Sequence, residues 1–522
     1  MAPSESVPLS NLSIRRPWLA LLALALLLGL AFQGARGLWE PDEGRYTNVA
    51  LQMIHSGDYI SLRRNEEALH FTKPPVTYWA IAGSVDAFGR TEWAVRLPMA
   101  LAFALTVLLV YDMGRRLVPA KPWLPALIYA TCPLAVGAAS VVTTDTMLAF
   151  TEALALACYV RARFSSDGDG SIAGSGGSRW WLDAMWTAFG LAFLTKGPPA
   201  LLPLVAIVAF EVWQRRGLQL LRPIGLLGFA VVGFAWFWVV IRRHPGLLDY
   251  FLGHEVYARI ATDKLRRFPE WYGPFLVYIP TLVLGSLPWL LVTWQARRRG
   301  ESASVWPRAD DGLRFLWLWL ALPLLVFSLA RSRLPLYLLP LFAPLALLLA
   351  RAIAPMRWTS LGWKLLGGWV LFLLALKLAS AHFPSDKDGR VFASRLTPML
   401  PAHPDELLFV EDTARNGLNL YLDTNIERLS FKPQPKMLSD SSYDQTVAEE
   451  LAEDDLGRVF IMKREVEQYF LDAVKEDGET AVLLGVIDDR QGRRARERVV
   501  YTLSGDFPDL AGRKPVEESA LP

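Results

Sequence analysis

Long apolar runs separated by short, basic segments dominate the chain up to about residue 381. About eleven runs of roughly 16–25 apolar residues lie near 17–38, 93–111, 122–140, 144–160, 180–195, 198–213, 223–241, 271–294, 314–330, 335–353 and 361–381, the length a bilayer core demands of a helix. Arg15 and Arg16 precede the first run, which is long, has no clear small-residue cleavage site, and is expected to be an uncleaved span. With the N-terminus inside, one set of loops collects Arg115, Arg116, Lys121, Arg161, Arg163, Arg215, Arg216, Arg222, Arg297, Arg298, Arg299, Arg351, Arg357 and Lys364. That is the basic cytoplasmic side that membrane insertion favours.

The opposite side breaks this pattern. Two long loops, 39–92 and 242–270, and a short one at Arg331-Ser332-Arg333 carry Arg45, Arg63, Arg64, Lys73, Arg242, Arg243, Arg259, Lys264, Arg266 and Arg267. Long loops translocate whatever their charge, but such a concentration of cations also fits an anion site, and phosphate matches Arg and Lys in charge and geometry.

From about His382 the pattern changes. The apolar stretches shrink to strand length at 406–410, 459–462, 481–484 and 499–502, while 464–475 repeats its apolar residues at helical spacing. The expected organisation is a transmembrane unit over 1–381 and an α/β unit over 382–522 with a disordered tail, placed outside by an odd number of spans.

Composition supports the membrane reading: 52% of the 522 residues are hydrophobic and only 20% charged, against about 25% charged in soluble domains. The 20 Trp fall largely near the ends of the apolar runs, as in an interfacial belt. A net charge of +3 gives no reason to expect nucleic acid, and two cysteines, both in apolar segments, exclude a disulfide framework.

Candidate chemistry lies at the outer ends of the runs. Glu40-Pro41-Asp42-Glu43-Gly44-Arg45-Tyr46 places three carboxylates just past the first span. They are either the acidic first turn of an interfacial helix or groups that receive a proton from, or orient, an attacking hydroxyl. Lys73, before Pro74 and Pro75, is held extended, and is either a snorkelling lysine or a phosphate anchor. Asp145 opens a span, where a carboxylate is costly unless it caps the helix or functions. Lys196 stands in a very short outer turn, and Gly197-Pro198-Pro199 explains the turn but not the lysine. His254 could bind a divalent metal together with a carboxylate. Arg333 and Tyr337, among prolines early in a span, point to a pocket rather than plain lipid contact.

Four motifs in series, Pro-Asp-Glu-Gly-Arg-Tyr, Thr-Lys-Pro-Pro, Leu-Thr-Lys-Gly-Pro and Arg-Leu-Pro-Leu-Tyr-Leu-Leu-Pro, resemble the bacterial branch of the protein O-mannosyltransferase superfamily, and within it the aminoarabinose transferases that modify lipid A. The resemblance spans roughly 17–381. It implies a GT-C fold of about 11 (11–13) membrane helices in a bacterial inner membrane, a polyprenyl-phosphate sugar donor, a lipid or glycan acceptor on the periplasmic face, and inversion at the anomeric carbon. It assigns Asp42 as the catalytic aspartate, Asp145 as a second site aspartate, and Lys73, Arg259 and Tyr337 to the carrier phosphate. Glu43, Arg45, Tyr46, Lys196 and Arg333 join them as candidates from their placement. Relatives often have Glu where this chain has Thr72; if that Glu holds a metal with the equivalent of His254, the metal is in doubt here. A sugar phosphodiester needs no nucleotide cofactor. Two other readings compete. A transferase acting on protein or polysaccharide shares every motif. A transporter or flippase for a lipid-linked sugar predicts internal symmetry and midplane charges, and the sequence has neither. No motif identifies 382–522.

Overall fold

The computed structural model describes residues 16–164, 176–253, 268–307, 310–435, 438–439, 441–487 and 497–507. Helix forms within every one of the apolar runs, but the proline and polar residues inside them set the boundaries. α1 (Pro17–Leu30) stops well short of residue 38. Beyond it Gln33 and Arg36 are buried, because such side chains cannot face lipid and must find partners inside the protein. Gln33 donates to the Gly29 and Ala139 carbonyls at 2.5 and 2.8 Å. The ammonium of Lys377 meets the carbonyls of Leu28 and Gly29 at 2.5 and 3.2 Å, satisfying the open end of α1.

The 39–92 loop holds two helices, α2 (Asp42–Ser56), closed by Gly57 at φ 67°, and α3 (Val76–Phe88), which follows Pro74 and Pro75. α4 (Glu92–Leu117) runs through the centre of the helical body, with Thr91 capping it through the Ala94 amide at 3.2 Å. The run expected at 122–140 is broken by Pro133 into α5 (Leu124–Ala130) and α6 (Pro133–Ala138). α7 (Thr144–Arg163), α8 (Gly176–Lys196), α9 (Leu202–Trp213) and α10 (Pro223–Arg243) follow. The run expected at 271–294 is two helices, Gly273–Gly285 and Trp289–Arg298, bent by 75°. Helix Asp311–Leu329, a 3₁₀ stretch Pro335–Leu341 leading into Phe342–Ile353, and Ser360–Ala381 complete the bundle.

Among the described residues five helices are long and apolar enough to cross a membrane, or six if the bent pair is one span. The chain is a multi-pass membrane protein. α7 fails that test because Asp145, Glu152, Arg161 and Arg163 interrupt it. α8 and α10 approach at two glycines: a Cβ on Gly190 would stand 2.9 Å from the Phe229 carbonyl oxygen. Small residues of this kind let membrane helices pack closely, and this contact fixes the helix that ends in Lys196.

Residues 406–503 contain a six-stranded sheet of β1 (Glu406–Val410), β2 (Asn425–Ser430), β3 (Gln445–Thr446), β4 (Arg458–Lys463), β5 (Ala481–Ile487) and β6 (Arg498–Leu503), in the order β3-β2-β1-β4-β6-β5. β1 to β4 pair in parallel, with Phe409 opposite Ile461, and β6 runs antiparallel to β4 and β5. Phe392 and Leu396 cover one face and Phe470 and Val474 the other, which explains the unbroken apolar strands. The helix expected from 464 begins as a 3₁₀ turn and becomes α-helical at Glu467.

This sheet unit docks on the 39–92 loop. The Leu38 amide donates to the Tyr421 hydroxyl at 2.9 Å, the Phe71 amide to Ser439 Oγ at 2.7 Å, and Asn419 Nδ2 to Asn48 Oδ1 at 2.7 Å; Arg64 pairs with Asp444.

Candidate active site

The loop helices and the ends of α7 and α8 meet at the sheet-bearing end of the bundle. α2 begins just after Pro41, so Asp42 and Glu43 fall in its first turn, where the helix dipole favours carboxylates. Their side chains then part. Asp42 is about half exposed and pairs with Arg45, one turn on, at 2.6 Å. Glu43 turns into the protein and is 1% exposed.

Glu43, which the sequence offers as a candidate for the reaction, is held on all sides by groups of the protein. Its Oε2 accepts from Arg36 at 2.5 Å and from Arg96 and the Trp39 amide at 2.9 Å; its Oε1 accepts from Arg96 Nε and the Val142 amide at 3.0 Å. Burial alone would raise this carboxyl, but Arg96 and Arg36 outweigh it and hold the pKa at about 2. With every lone-pair direction filled, Glu43 is a structural node joining α2, α4, the segment after α1 and the segment before α7. Arg96 extends the node to the carbonyls of Gln33, Arg36 and Gly37 at 2.7, 2.9 and 2.7 Å. Neither arginine stands out in the sequence as a site residue. The signal was an arginine one turn inside an apolar run, which must be paired to be tolerated.

Tyr46, on the Asp42 side of α2, is buried, and its ring lies 5.5 Å from that of Tyr78 on α3. Burial raises its hydroxyl pKa, and the charges of Arg45, Lys196, Asp145 and Asp42 all act on it. Two ion pairs therefore flank this phenol. The second is Lys196–Asp145, at 2.5 Å, with both side chains about nine-tenths buried. Asp145 opens α7 and Lys196 closes α8, each at the helix end whose dipole favours its charge. Gly197, at φ 75°, turns the chain immediately afterwards. The Lys196 ammonium stands 4.8 Å over the Tyr337 ring, carried by the Pro335–Leu341 stretch.

Lys73 precedes the two prolines that start α3 and is half-buried, its Nζ 2.9 Å from the Thr72 carbonyl. Beside it His70 is 1% exposed, with Nε2 2.9 Å from the Thr72 hydroxyl and Nδ1 without a hydrogen-bond partner. Burial, with Arg45, Arg64 and Lys73 nearby, lowers its pKa well below the usual range, so the ring is neutral. Lys73 and Arg45 both lie close enough to His70 for their charges to act on it. Sequence gave no reason to separate it from the other histidines.

Asp42, Arg45, Tyr46, Lys73, Asp145, Lys196 and Tyr337 are thereby brought into one neighbourhood. Arg333 is not aimed there. Its guanidinium holds the carbonyl of Phe268 and, at 3.0 Å each, those of Glu270 and Ser328, a use of all-donor geometry to close orphan backbone acceptors. Arg333 thus braces these backbone carbonyls, where the sequence expectation put it on the substrate. Arg259 and His254 lie outside the described residues. Among the described residues no three His, Cys, Asp or Glu side chains converge as a metal set, and Thr72, bonded to His70, offers a hydroxyl where a carboxylate ligand would be needed.

Residues 72–241 match the family model described as dolichyl-phosphate-mannose-protein mannosyltransferase. The matched segment includes Lys73, Asp145 and Lys196. Among curated proteins the chain is 34% identical over 346 residues to undecaprenyl phosphate-alpha-4-amino-4-deoxy-L-arabinose arabinosyl transferase 2 of Pseudomonas fluorescens, covering 64% of this chain and 59% of that protein. It is 35% identical over 350 residues to the protein of the same name from Sodalis glossinidius, with the same coverage. The chain spans about three fifths of the length of these relatives. The crystal structure of ArnT from Cupriavidus metallidurans bound to undecaprenyl phosphate superposes with a TM-score of 0.73 at 21% identity, covering 96% of this chain and all of that one. The chain therefore has the fold of that GT-C protein along nearly its whole length, and in sequence it resembles the aminoarabinose transferases.

Proposed function

We propose that the protein is an inverting glycosyltransferase that moves an aminopentose from undecaprenyl phosphate to lipid A or a related envelope glycan on the periplasmic face of a bacterial inner membrane. The observation that carries this reading is the Tyr46 phenol flanked by the Asp42–Arg45 and Lys196–Asp145 pairs, with Lys73 alongside. The names of the relatives and the carrier bound in the Cupriavidus structure support the choice of donor. All eleven apolar runs cross the membrane in this reading, two of them as broken helices, leaving the N-terminus cytoplasmic and the sheet periplasmic.

In the reaction, an acceptor oxygen bonds to the anomeric carbon from the face opposite the carrier. The bond from that carbon to the phosphate oxygen breaks, and its electron pair leaves with undecaprenyl phosphate. Lys73, with Arg259 and the Tyr337 hydroxyl, meets the charge that grows on the departing phosphate; each such contact is worth on the order of 10²–10³ in rate. Asp42 takes the proton of a hydroxyl acceptor. A phosphate acceptor brings no proton that must be removed, and there Asp42 orients it. The Lys196–Asp145 pair fixes the wall between donor and acceptor.

Mass spectrometry of lipid A from cells with and without the protein tests the reading. The expected result is a species heavier by one aminopentose only when the protein is present. Identical lipid A and identical envelope glycans in the two strains contradict it.

A further inference from the structure

One buried carboxylate near this site has no part in the chemistry above. Glu152 lies two turns beyond Asp145 on α7, roughly 10 Å further along the axis at 1.5 Å per residue. It is 3% exposed. Among the described residues it has no hydrogen-bond or ion-pair partner, although the charges of Lys196 and Asp145 both reach it. The seven-residue spacing keeps it on the face of α7 that carries Asp145. α7 packs against α4, α8 and the Pro335–Leu341 stretch that brings Tyr337.

The bookkeeping of charge then becomes informative. Asp42 is matched by Arg45 and Asp145 by Lys196. Glu211, another buried carboxylate of the bundle, is matched by Arg163 and the Tyr159 hydroxyl. Glu152 is left as an acceptor group with nothing to accept from. A buried unpaired carboxyl costs several kcal/mol of solvation, and ionisable groups in membrane segments generally mark a ligand path.

We propose that Glu152 is the binding residue for a cationic amino group on the transferred sugar. The inference rests on the transferase reading and adds to it the residue that meets the sugar's amino group. A sugar joined to a carrier phosphate and bearing an ammonium has opposite charges at its two ends. The Lys73 side of the site suits the phosphate, and Glu152, lying deeper along α7, suits the ammonium. Three N–H donors on one nitrogen fill the carboxylate left open here, and a hydroxyl or acylamino group in that place leaves it largely unsatisfied.

The test uses the full-length protein in liposomes with two synthetic undecaprenyl-phosphate donors, a 4-aminopentose and its N-acetyl derivative. Wild-type protein is expected to prefer the amino donor in kcat/KM by about tenfold or more, as for sites built to bond a polar group. Glu152→Gln should lose roughly 10–100-fold on the amino donor and change little on the acetylated one. Thermal stabilisation by sugarless undecaprenyl phosphate, which never reaches Glu152, should be the same in both proteins, and this also reports that the variant is folded. Equal losses on both donors, or loss of stabilisation by the bare carrier, would overturn the proposal. Equal use of both donors by wild-type protein would overturn it while leaving transfer itself established. Failure of wild-type protein to use either donor would bring down the transferase reading with it.

Discussion

Asp42 and Glu43 are chain neighbours with the same chemistry and opposite surroundings. Adjacent residues on a helix point about 100° apart, so Asp42 is exposed and Glu43 faces the core. Sequence showed both carboxylates but not which was which, because the answer depends on Arg36 and Arg96 arriving from other segments. Glu43→Gln or Arg96→Ala should cost about 3–5 kcal/mol of stability, since either leaves a buried charge without its partner; a thermal melt in detergent reads this directly. The pH dependence has a definite sign. The folded pKa of about 2 lies below the ordinary glutamate value of 4.5, so the contribution of Glu43 is complete above about pH 4.5 and fades as the pH falls toward 2. Lys73→Ala should behave differently, raising the KM for donor roughly tenfold with little change in melting temperature, as expected for one lost phosphate contact. An unchanged KM would remove Lys73 from the phosphate site. Lys73 stood out as a candidate because its two prolines restrict it locally. Glu152 was not legible, since a single acid within an apolar run discloses nothing of its partners until neighbouring helices are in place.

At the scale of elements, hydrophobic run length located every helix of the bundle and misjudged several ends. α1 stops at Leu30 because Gln33 and Arg36 have better partners off the helix than on it. The 122–140 and 271–294 runs contain prolines, which an average over apolar residues does not register. The Lys196–Asp145 pair was beyond run length altogether: each residue was suspect alone, and their pairing follows from α7 and α8 packing side by side in opposite directions. α8 in turn is set by its glycine contact with α10. Gly190→Leu should force these helices apart and destabilise the protein by about 1–3 kcal/mol, moving Lys196 with them. A variant with wild-type melting and activity would show that the contact does not position the site.

Across the whole molecule, the sheet unit and the site loop share one buried joint. Glu40 accepts from the Gly417 amide at 2.5 Å, and a Cβ on Gly44 or Gly417 would stand 2.2 or 2.6 Å from its carboxylate. Burial raises its pKa to about 8. Below about pH 8 the carboxyl is therefore protonated in the folded protein, whereas the unfolded chain ionises it above the ordinary value of 4.5. Its contribution is complete below about pH 4.5 and is lost as the pH rises through about 8. Melting temperature should fall over that window in the wild type and fall less in Glu40→Gln; parallel curves would exclude Glu40 as the source. The strands themselves were readable from short apolar runs, but nothing in their sequence foretold that Tyr421, Ser439 and Asp444 would grip the loop carrying Asp42 and Lys73.

The central claim is that groups from separate loops converge to carry out transfer at one place, with Asp42 acting on the acceptor. Single-turnover transfer by Asp42→Asn, with donor saturating and folding verified by melting, tests it most directly. The account predicts a rate lower by about 10²–10⁴-fold with donor affinity unchanged. A rate equal to wild type would contradict it.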